Sequence, residues 1–392
     1  MTSSTTKETI VLFKGPSQYG VLRNMMDKLG EAFITLGYPV IIFEYRRNPK
    51  ELVEIVNSRS VFFIFEFNGL GMVRTIDQTP LYDHIHAPYI SYLVDSPIHH
   101  YKTLTADLKN KHHFIAGFVD QAHMRFVNNY FKSEYQTSFL PQFSHYRPIK
   151  EVKPIKRREH EIVFTGTGID PETIRNKWTT YGKKVYELME NIVEEAMYQH
   201  EKDLTEIAAE VLYLKGIEKV NLTTQHFSSI LAELDKYIRQ QRRKEIIIKL
   251  SELPLCIYGN GWDYLGAVNK KVKIVSGGNW DETFQIMHNA KIVLNIMPNW
   301  TNGPHERMLN TMICGAVSLS DQNVYLKQHF RHKENLLFYN FNDEHLIKNI
   351  QEYLKDKEML QYVADNGRSK VLKEYTAINF AKKLIAEVRP RK

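Results

Sequence analysis

The stretch KIVLNIMPNWTNGPHERMLNTMICGAVSLSD, residues 291–321, carries the clearest alternation of strand and helix patterns in the chain. Residues 291–297 form a β-branched apolar run, which is typical of a buried strand. After a polar loop, Pro304 suits the first turn of a helix, because its missing N–H would have no partner there. Apolar residues then recur at helical spacing, and residues 316–320 are predicted to form the next strand. The stretch therefore predicts a strand, a loop, a helix and a second strand, with the polar cluster 305–307 where the helix begins.

The same alternation extends along the chain on both sides of this stretch. Further apolar runs predict strands at residues 9–13, 39–43, 61–67, 88–94, 113–118, 137–141, 161–166, 253–259, 272–276 and 335–339. Helical patterns lie between most of these runs, which is typical of βαβ units that build a parallel sheet covered on both faces. A long helical region at about 172–250 interrupts the second series. We therefore predict an α/β fold with two Rossmann-like domains and a helical insertion in the second.

A basic segment with two prolines, residues 145–161, separates the two series. This composition is typical of a linker between domains, and we interpret the segment as a solvated hinge. The expected organisation is an N-terminal domain at 1–148, a C-terminal domain at 149–375, and a C-terminal helix at 376–392 that can pack back on the first domain. Ligands of parallel sheets bind beyond the carboxyl ends of the strands, so a cleft between the domains is the expected site.

The bulk composition is that of an ordinary globular protein, since 43% of the 392 residues are hydrophobic and 25% are charged. The net charge of +7 is equally compatible with an anionic partner and with simple solubility. Cys256 and Cys314 lie in apolar runs, which favours buried free thiols in a reducing compartment over a disulfide or a metal site. The N-terminus lacks the features of a signal peptide, and no apolar run reaches the roughly 20 residues of a membrane span. We expect a soluble cytoplasmic protein.

Four loops that follow strands of the second domain are rich in glycine: 164–170, 258–266, 275–282 and 299–307. Glycine lets the backbone approach a ligand closely, and helix N-termini offer free N–H groups and a positive dipole to phosphate. One such loop would mean little, but four on one sheet edge favour nucleotide or phosphate binding. None of them completes the dinucleotide fingerprint, and the absence of a G-x4-GK[ST] loop excludes a P-loop NTPase. The candidate nucleotide-binding residues are Gly166, Thr167, Tyr258, Gly259, Asn260, Gly303, Pro304, His305, Glu306, Arg307 and Asn310.

Glu306 and Asn310 are placed one turn apart on the helix that starts near Pro304. Both side chains can hydrogen-bond neighbouring hydroxyls of a ribose, while the amides around Gly303 hold phosphate. The alternative is structural: Glu306 complements the helix dipole, and Arg307 is a surface cation.

Several segments resemble the group 1 glycosyltransferases, and most closely their CgeB-like branch. They are LNIMPNWTNGPHERMLNTMICGAVSLSD, ENLLFY, VADNGRSKVLKEYT, LCIYGNGW and FTGTGID, together with FEFNGLG and YLVDSPIHH from the first domain. The resemblance implies the two-domain GT-B fold and transfer of a hexose from a nucleoside diphosphate sugar, such as a UDP-sugar, to a protein or glycan acceptor. In group 1 enzymes a Glu-x7-Glu pair flanks this loop, and the second Glu binds the ribose. Asn302 and Asn310 stand at the matching positions, so Glu306 becomes a substitute for the usual contact.

Metal ions and cofactors are not expected. No Asp-x-Asp triplet occurs in the chain, and the adjacent pairs His99–His100 and His112–His113 match a metal site poorly. Helix N-termini, Arg307 and basic residues from the 13–20 loop or the linker are expected to neutralise the leaving diphosphate instead.

The resemblance places the catalytic base in a loop of the first domain. Asp95, which ends a strand, is the leading candidate, with His99 and then His100 as reserves. Asp95 could instead cap the next helix, or orient the sugar if the enzyme retains the anomeric configuration. The residues expected to face the acceptor or the phosphate are Gly15, Ser17, Gln18, Asn68 and Gly69.

Two alternatives stay open from the sequence. A sugar-nucleotide epimerase shares this architecture and would use the same nucleotide cradle. A non-catalytic module could bind nucleic acid through the basic linker, although the sequence lacks the interleaved aromatic and basic residues of a single-strand platform. The expected partners are therefore a nucleoside diphosphate sugar and its acceptor, without nucleic acid, and the oligomeric state is left open.

Overall fold

The computed structural model describes residues 8–131, 134–146, 151–217, 223–266 and 271–388, apart from the side chain of Gln18. These residues form two compact units. The first unit takes in the described parts of Met1–His145 and Thr376–Lys392, and the second takes in those of Tyr146–Tyr375. No helix among the described residues is long and apolar enough to cross a membrane.

The first unit is built on a parallel sheet of six strands, with a short antiparallel pair outside it. The strands are β1 Thr9–Lys14, β2 Val40–Glu44, β3 Val61–Phe67, β4 Thr75–Ile76, β5 Thr79–Pro80, β6 Tyr89–Leu93, β7 Phe114–Phe118 and β8 Gln136–Phe139. The order in the parallel sheet is β2-β1-β3-β6-β7-β8, and the antiparallel pair, β4 and β5, was not predicted.

Helices connect these strands, and side-chain caps set where several of them begin. Asn48 caps the helix that starts at Pro49, and Asp120 Oδ1 accepts a hydrogen bond from Ala122 N at 2.6 Å. The helices are α1 Val21–Thr35, α2 Pro49–Asn57, α3 Leu70–Val73, α4 Tyr101–Leu104, α5 Gln121–Tyr130 and, from the end of the chain, α15 Ala377–Val388. The ring of Phe380 on α15 packs 4.5 Å from Phe143 and 5.2 Å from Tyr92, so α15 is part of the core of this unit.

The second unit also contains a six-stranded parallel sheet. Its strands are β9 His160–Thr165, β10 Leu255–Tyr258, β11 Lys273–Val275, β12 Ala290–Asn295, β13 Val317–Asp321 and β14 Leu337–Tyr339. Their order in the sheet is β11-β10-β9-β12-β13-β14. The chain runs outward from β9 to β11 and then returns to β12 on the other side of β9. The switch point where ligands bind such sheets therefore lies at the carboxyl ends of β9 and β12.

Nine helices flank the second sheet within the described residues. They are α6 Pro171–Arg175, α7 Lys183–Tyr198, α8 Leu204–Leu214, α9 Gln225–Lys249, α10 Trp280–His288, α11 Glu306–Ile313, α12 Val324–His329, α13 Leu346–Lys355 and α14 Lys357–Glu374. The predicted insertion at 172–250 therefore needs a correction. Ile246 and Ile247 of α9 are fully buried in the same core as Ile162 of β9, so α9 is the crossover helix between β9 and β10. Only the segment from α6 to α8 is inserted into the βαβ unit that β9, α9 and β10 form.

The basic segment before β9 is not a solvated hinge where the structure describes it, which corrects the sequence interpretation. Ile155 is fully buried in the core of the second unit. Arg158 is only 4% exposed, and its guanidinium donates to three backbone oxygens, those of Lys153, Ala290 and Cys314, at 2.8–3.0 Å. These bonds fix the segment to the sheet. The predicted domain boundary at 148/149 lies outside the described residues.

The buried free thiols are confirmed, because Cys256 and Cys314 are both free and buried. Burial raises the pKa of the Cys314 thiol to about 12, so this sulfur is unreactive at neutral pH.

Candidate functional site

The loops that follow β9 and β10 are bound to each other through their backbones. Gly166 N donates to Tyr258 O at 3.0 Å, and Gly168 N donates to Asn260 O at 2.9 Å. A Cβ atom at Gly259 would lie 2.0 Å from Gly166 O, so this close approach requires glycine. The structure therefore brings together the candidate residues that the sequence placed in two separate loops.

The loop after β11 joins the same edge of the sheet. Tyr258 OH donates to Glu282 Oε2 at 2.6 Å and accepts from Gly278 N at 2.9 Å. Asn260 Oδ1 accepts from Gly277 N at 3.1 Å, and the residue remains exposed. These hydrogen bonds fix the loops after β10 and β11 to each other and leave Asn260 exposed.

Helix α11 begins without a side-chain cap, in contrast to most helices of the second unit. Its N-cap residue is His305, whose side chain makes no capping hydrogen bond. Instead Asn323 Nδ2 donates to Gly303 O at 2.9 Å, which holds the preceding loop in place. Pro304 therefore lies two residues before the helix rather than in its first turn, which corrects the sequence prediction. A helix N-terminus without a side-chain cap is a common site for an anion.

Three arginines converge on this helix terminus and on the loop after β9. Arg239 and Arg243 lie one turn apart on α9, and Arg307 lies on α11. Arg243 Nη1 donates to Thr167 O at 2.9 Å. The Arg307 guanidinium lies 5.3 Å from the centre of the Phe164 ring, and its buried Nη1 has no hydrogen-bond partner among the described residues. A buried guanidinium N–H without an acceptor indicates that a ligand supplies one.

The pKa values show how strongly positive charge is concentrated here. Burial, followed by the charges of Arg307 and Arg239, lowers the pKa of Arg243 to about 9. Burial also lowers the pKa of Arg307, while the carboxylates of Glu306 and Asp321 oppose that shift. Cations held this close repel one another, and a multiply charged anion bound among them relieves that repulsion.

Glu306 is held at the first residue of α11 by its neighbour. His305 Nε2 lies 3.0 Å from Glu306 Oε2, and His305 Nδ1 lies 2.9 Å from Asn295 Oδ1. Burial, followed by the charges of the three arginines, lowers the pKa of His305 well below its usual value. The Glu306 side chain is 22% exposed, whereas Asn310 is fully buried. Of the two residues expected to meet a ribose, the structure thus leaves only Glu306 accessible.

A buried carboxyl group supports the loop after β12. Both oxygens of Asp321 accept hydrogen bonds from Met297 N, at 3.0 and 3.2 Å. Burial raises the pKa of Asp321 to about 7, although these hydrogen bonds oppose the shift.

The raised pKa of Asp321 predicts a pH-dependent stability. Between about pH 4 and pH 7 the folded state keeps a proton on Asp321, whereas the unfolded chain has released it. The contribution of this group to the free energy of unfolding is therefore complete at acid pH and is lost as the pH rises. We expect the free energy of unfolding of the wild type to fall by about 2 kcal/mol more than that of Asp321→Asn between pH 5 and pH 7. Denaturant titrations of both proteins at the two pH values measure this difference. Parallel pH profiles would contradict a raised pKa.

The structure also gathers the candidate residues of the first unit. Gly15 and Asn68 line a cavity of about 200 Å³ beyond the ends of β1 and β3, and Gly69 follows directly. Asn68 Oδ1 accepts from Val94 N at 3.1 Å, and Ser17 Oγ accepts from Leu22 N at 2.9 Å, so Ser17 supports the start of α1. The side chain of Gln18 lies outside the described part of the chain.

Asp95 and the histidines after it follow β6. Asp95 is half-buried, His99 is exposed and His100 is buried. Burial lowers the pKa of His100 to about 4, while the charge of Asp95 opposes this shift, so the two side chains lie near each other. A ring with so low a pKa is a weak general base, which argues against His100 as a reserve for Asp95.

The positive charge at this edge of the sheet comes from residues that the sequence did not point to. Lys14, in the strand before the 13–20 loop, pairs with Asp27 at 2.6 Å, and Arg158 of the linker donates to backbone carbonyls. Arg243 supplies charge here instead, together with Arg239, which also pairs with Asp235 at 2.9 Å. In the sequence they belong to a run of charged helical residues that is indistinguishable from a solvated face. Among the described residues, no group of three or more His, Cys, Asp or Glu side chains is arranged to hold a metal ion.

Comparisons with known proteins give one family match and several structural neighbours. Residues 239–386 match a protein family described as "Glycosyl transferase-like". The fold resembles that of HepE from Anabaena, solved with UDP and glucose, at a TM-score of 0.55 and 11% identity over 97% of this chain and 99% of the other. It also resembles the sucrose-phosphate synthase of Thermosynechococcus elongatus, at a TM-score of 0.52 and 11% identity over 96% of this chain and 97% of the other. The fold also resembles that of the lipopolysaccharide outer core galactosyltransferase WaaB, at a TM-score of 0.51 and 10% identity over 96% of this chain and 98% of the other.

No curated protein matches the sequence. Structural likeness at such low identity establishes the fold alone. The two parallel six-stranded sheets, the structural neighbours and the family match together show that the chain has the GT-B fold of glycosyltransferases and carries a glycosyl transferase-like segment over residues 239–386.

Proposed function

We propose that the protein is a glycosyltransferase that moves a hexose from a nucleoside diphosphate sugar to a protein or glycan acceptor. The observation that carries this proposal is the convergence of Arg239, Arg243 and Arg307 on the uncapped N-terminus of α11. A diphosphate is the anion that fits it, because it carries several charges and enough oxygens to accept from backbone amides and guanidinium groups together.

The rest of the donor follows from the strand order. With the diphosphate beside residues 303–307, Glu306 is the accessible carboxylate that accepts from the ribose hydroxyls. The base then lies over the loops that follow β10 and β11, near the exposed Asn260. The solved complexes of HepE with UDP and with UDP-glucose support a UDP-hexose as the donor.

The leaving diphosphate would be stabilised by the arginines. Preorganised positive groups lower the energy of a leaving group that gains charge in the transition state. The acceptor would bind the first unit near Gly15 and Asn68, and Asp95 would take the proton from its hydroxyl group. The sequence segments that match the CgeB-like branch support placing the protein in that branch.

A panel of nucleoside diphosphates and nucleotide sugars tests the proposal. A ligand of the native state raises the melting temperature, and we expect at least one UDP-sugar to do so. The tightest-binding donor should then be incubated alone and with candidate acceptors. Interconversion of the donor without acceptor would identify an epimerase, and no stabilisation by any nucleotide would refute the proposal.

Turnover is expected to be unchanged by EDTA, because three guanidinium groups supply the positive charge that a divalent ion supplies in other enzymes. The measurement is the rate of sugar transfer in buffer with EDTA and with added Mg²⁺ or Mn²⁺. A rate that collapses in EDTA and returns with a metal ion would show that the arginines do not suffice.

A further inference from the structure

A polar cavity of about 420 Å³ lies at the carboxyl ends of β12, β13 and β14. This size lies within the range of pockets that bind small molecules. The cavity is in the second unit, and no candidate residue from the sequence lines it. In the order of the strands, β12 lies between β9 and the other two strands of this cavity.

Two different parts of the chain build its walls. One wall consists of residues that follow β13 and β14, among them Gln322, Asn340 and Asn342. The opposite wall is the turn between α7 and α8, residues 199–203, which belongs to the segment added before α9. This turn lies outside the family match at 239–386.

Two buried nitrogens without partners belong to residues that line this cavity. Arg242 is 5% exposed; its Nη1 donates to Asn299 Oδ1 and its Nη2 to Ala196 O, both at 2.8 Å. Its Nε has no partner among the described residues, and the same is true of Nδ1 of His200. Buried polar atoms are rarely left unpaired in native proteins, so a ligand that supplies hydrogen-bond partners is expected here.

The chemistry of the lining favours a neutral ligand rich in hydroxyl groups. Burial and the charge of Arg242 lower the pKa of His200 to about 4, so its ring is neutral and carries one donor and one acceptor. Lys202 pairs with Glu210, and the cavity also holds the buried carboxyl of Asp321. The side-chain amides both donate and accept, which suits hydroxyl groups that do the same.

The order of the strands places this cavity in line with the proposed donor. A nucleotide sugar is a linear arrangement of base, ribose, diphosphate and sugar. The base is assigned to β10 and β11 and the diphosphate to β9 and β12, so the sugar continues toward β13 and β14. We propose that this cavity binds the donor's sugar ring and that the α7–α8 turn, through His200, determines which sugar is accepted. This inference rests on the proposed function.

Hydrogen–deuterium exchange of the full chain tests the sugar assignment with two ligands. One is the tightest-binding nucleotide sugar, and the other is the same nucleoside diphosphate without the sugar, called the bare diphosphate below. Both ligands should protect residues 303–307. Only the nucleotide sugar should also protect residues 199–203 and 340–342. Protection of 303–307 alone by both ligands would overturn the sugar assignment and leave the proposed function intact. If neither ligand protects 303–307, the proposed function itself fails.

A substitution supplies a second, independent readout. His200→Phe keeps a ring stacked on Phe341, which lies 4.9 Å away at an interplanar angle of 9°, but removes the ring nitrogens. We expect the affinity for the nucleotide sugar to fall about tenfold, since one to two hydrogen bonds are lost, and the affinity for the bare diphosphate to stay unchanged. The matched control is Leu214→Ser, at an 81% exposed position on α8. Equal weakening of both ligands, or of neither, would contradict a sugar-selective role for His200.

Discussion

Replacing Arg307 with methionine is expected to lower the affinity for a nucleoside diphosphate about 100-fold, because a charge-assisted hydrogen bond to phosphate is worth roughly 2–3 kcal/mol. The Nη1 atom of Arg307 is buried and has no partner among the described residues, so its interaction is available to the ligand. Arg307→Lys should recover only part of the loss, since an ammonium group cannot reproduce the planar guanidinium. Isothermal titration calorimetry with UDP and the other nucleoside diphosphates measures the effect.

The same substitution should not destabilise the free protein. Burial lowers the pKa of Arg307, which means that the folded state disfavours its charge, and neighbouring cations add repulsion at Arg243. We therefore expect an unchanged or higher melting temperature for Arg307→Met in the absence of ligand. Arg331→Met removes an equal charge from an exposed position and serves as the control. A large loss of stability with unchanged affinity would show that Arg307 is structural.

Replacing Asp95 with asparagine is expected to reduce turnover by about 10²- to 10⁴-fold, which is the usual contribution of a general base. Asparagine keeps the shape of the side chain and one acceptor oxygen but cannot take a proton. The affinity for the donor should stay the same, because the donor is assigned to the second unit. Steady-state kinetics gives kcat, and calorimetry gives the donor affinity.

Two further variants make this test specific. Asp107→Asn removes a carboxylate whose side chain is fully exposed in the same unit, and it should leave turnover unchanged. His99→Gln removes the exposed reserve candidate, and it should have a small effect if Asp95 is the base. A normal turnover for Asp95→Asn would remove Asp95 from the chemistry and would favour a mechanism without a protein base.

The sequence predicted the strands well because their signal is local. Every predicted strand is present, with ends shifted by no more than two residues, since a buried parallel strand is a short continuous apolar run. Among the strands of the described residues, the sequence missed only the short pair β4 and β5, because their residues carry no apolar run. The glycine-rich loops at 164–170 and 258–266 were found for a similar reason, because glycine at a strand end marks a turn where backbones approach closely.

The sequence could not predict which side chains surround those loops. Arg239 and Arg243 lie in a helix about 70 residues after Gly166, and their spacing is that of a surface stripe. Arg158 was likewise read as solvated, although it is buried. A charged residue in a helix or linker is usually exposed, so its burial depends on which element packs over it, and that information is not local.

Apolar runs and glycines along the chain thus predicted the two parallel sheets, their order along the chain and the glycine-rich edge that can meet a phosphate. The folded chain was needed to show that α9 carries its arginines to that edge, that Asn310 is buried while Glu306 is accessible, and that the α7–α8 turn lines a cavity beside β14. The two kinds of information differ in the distance along the chain over which they arise. Strand and turn preferences arise between neighbouring residues, whereas burial and charge clustering arise from contacts between segments that are far apart in the chain.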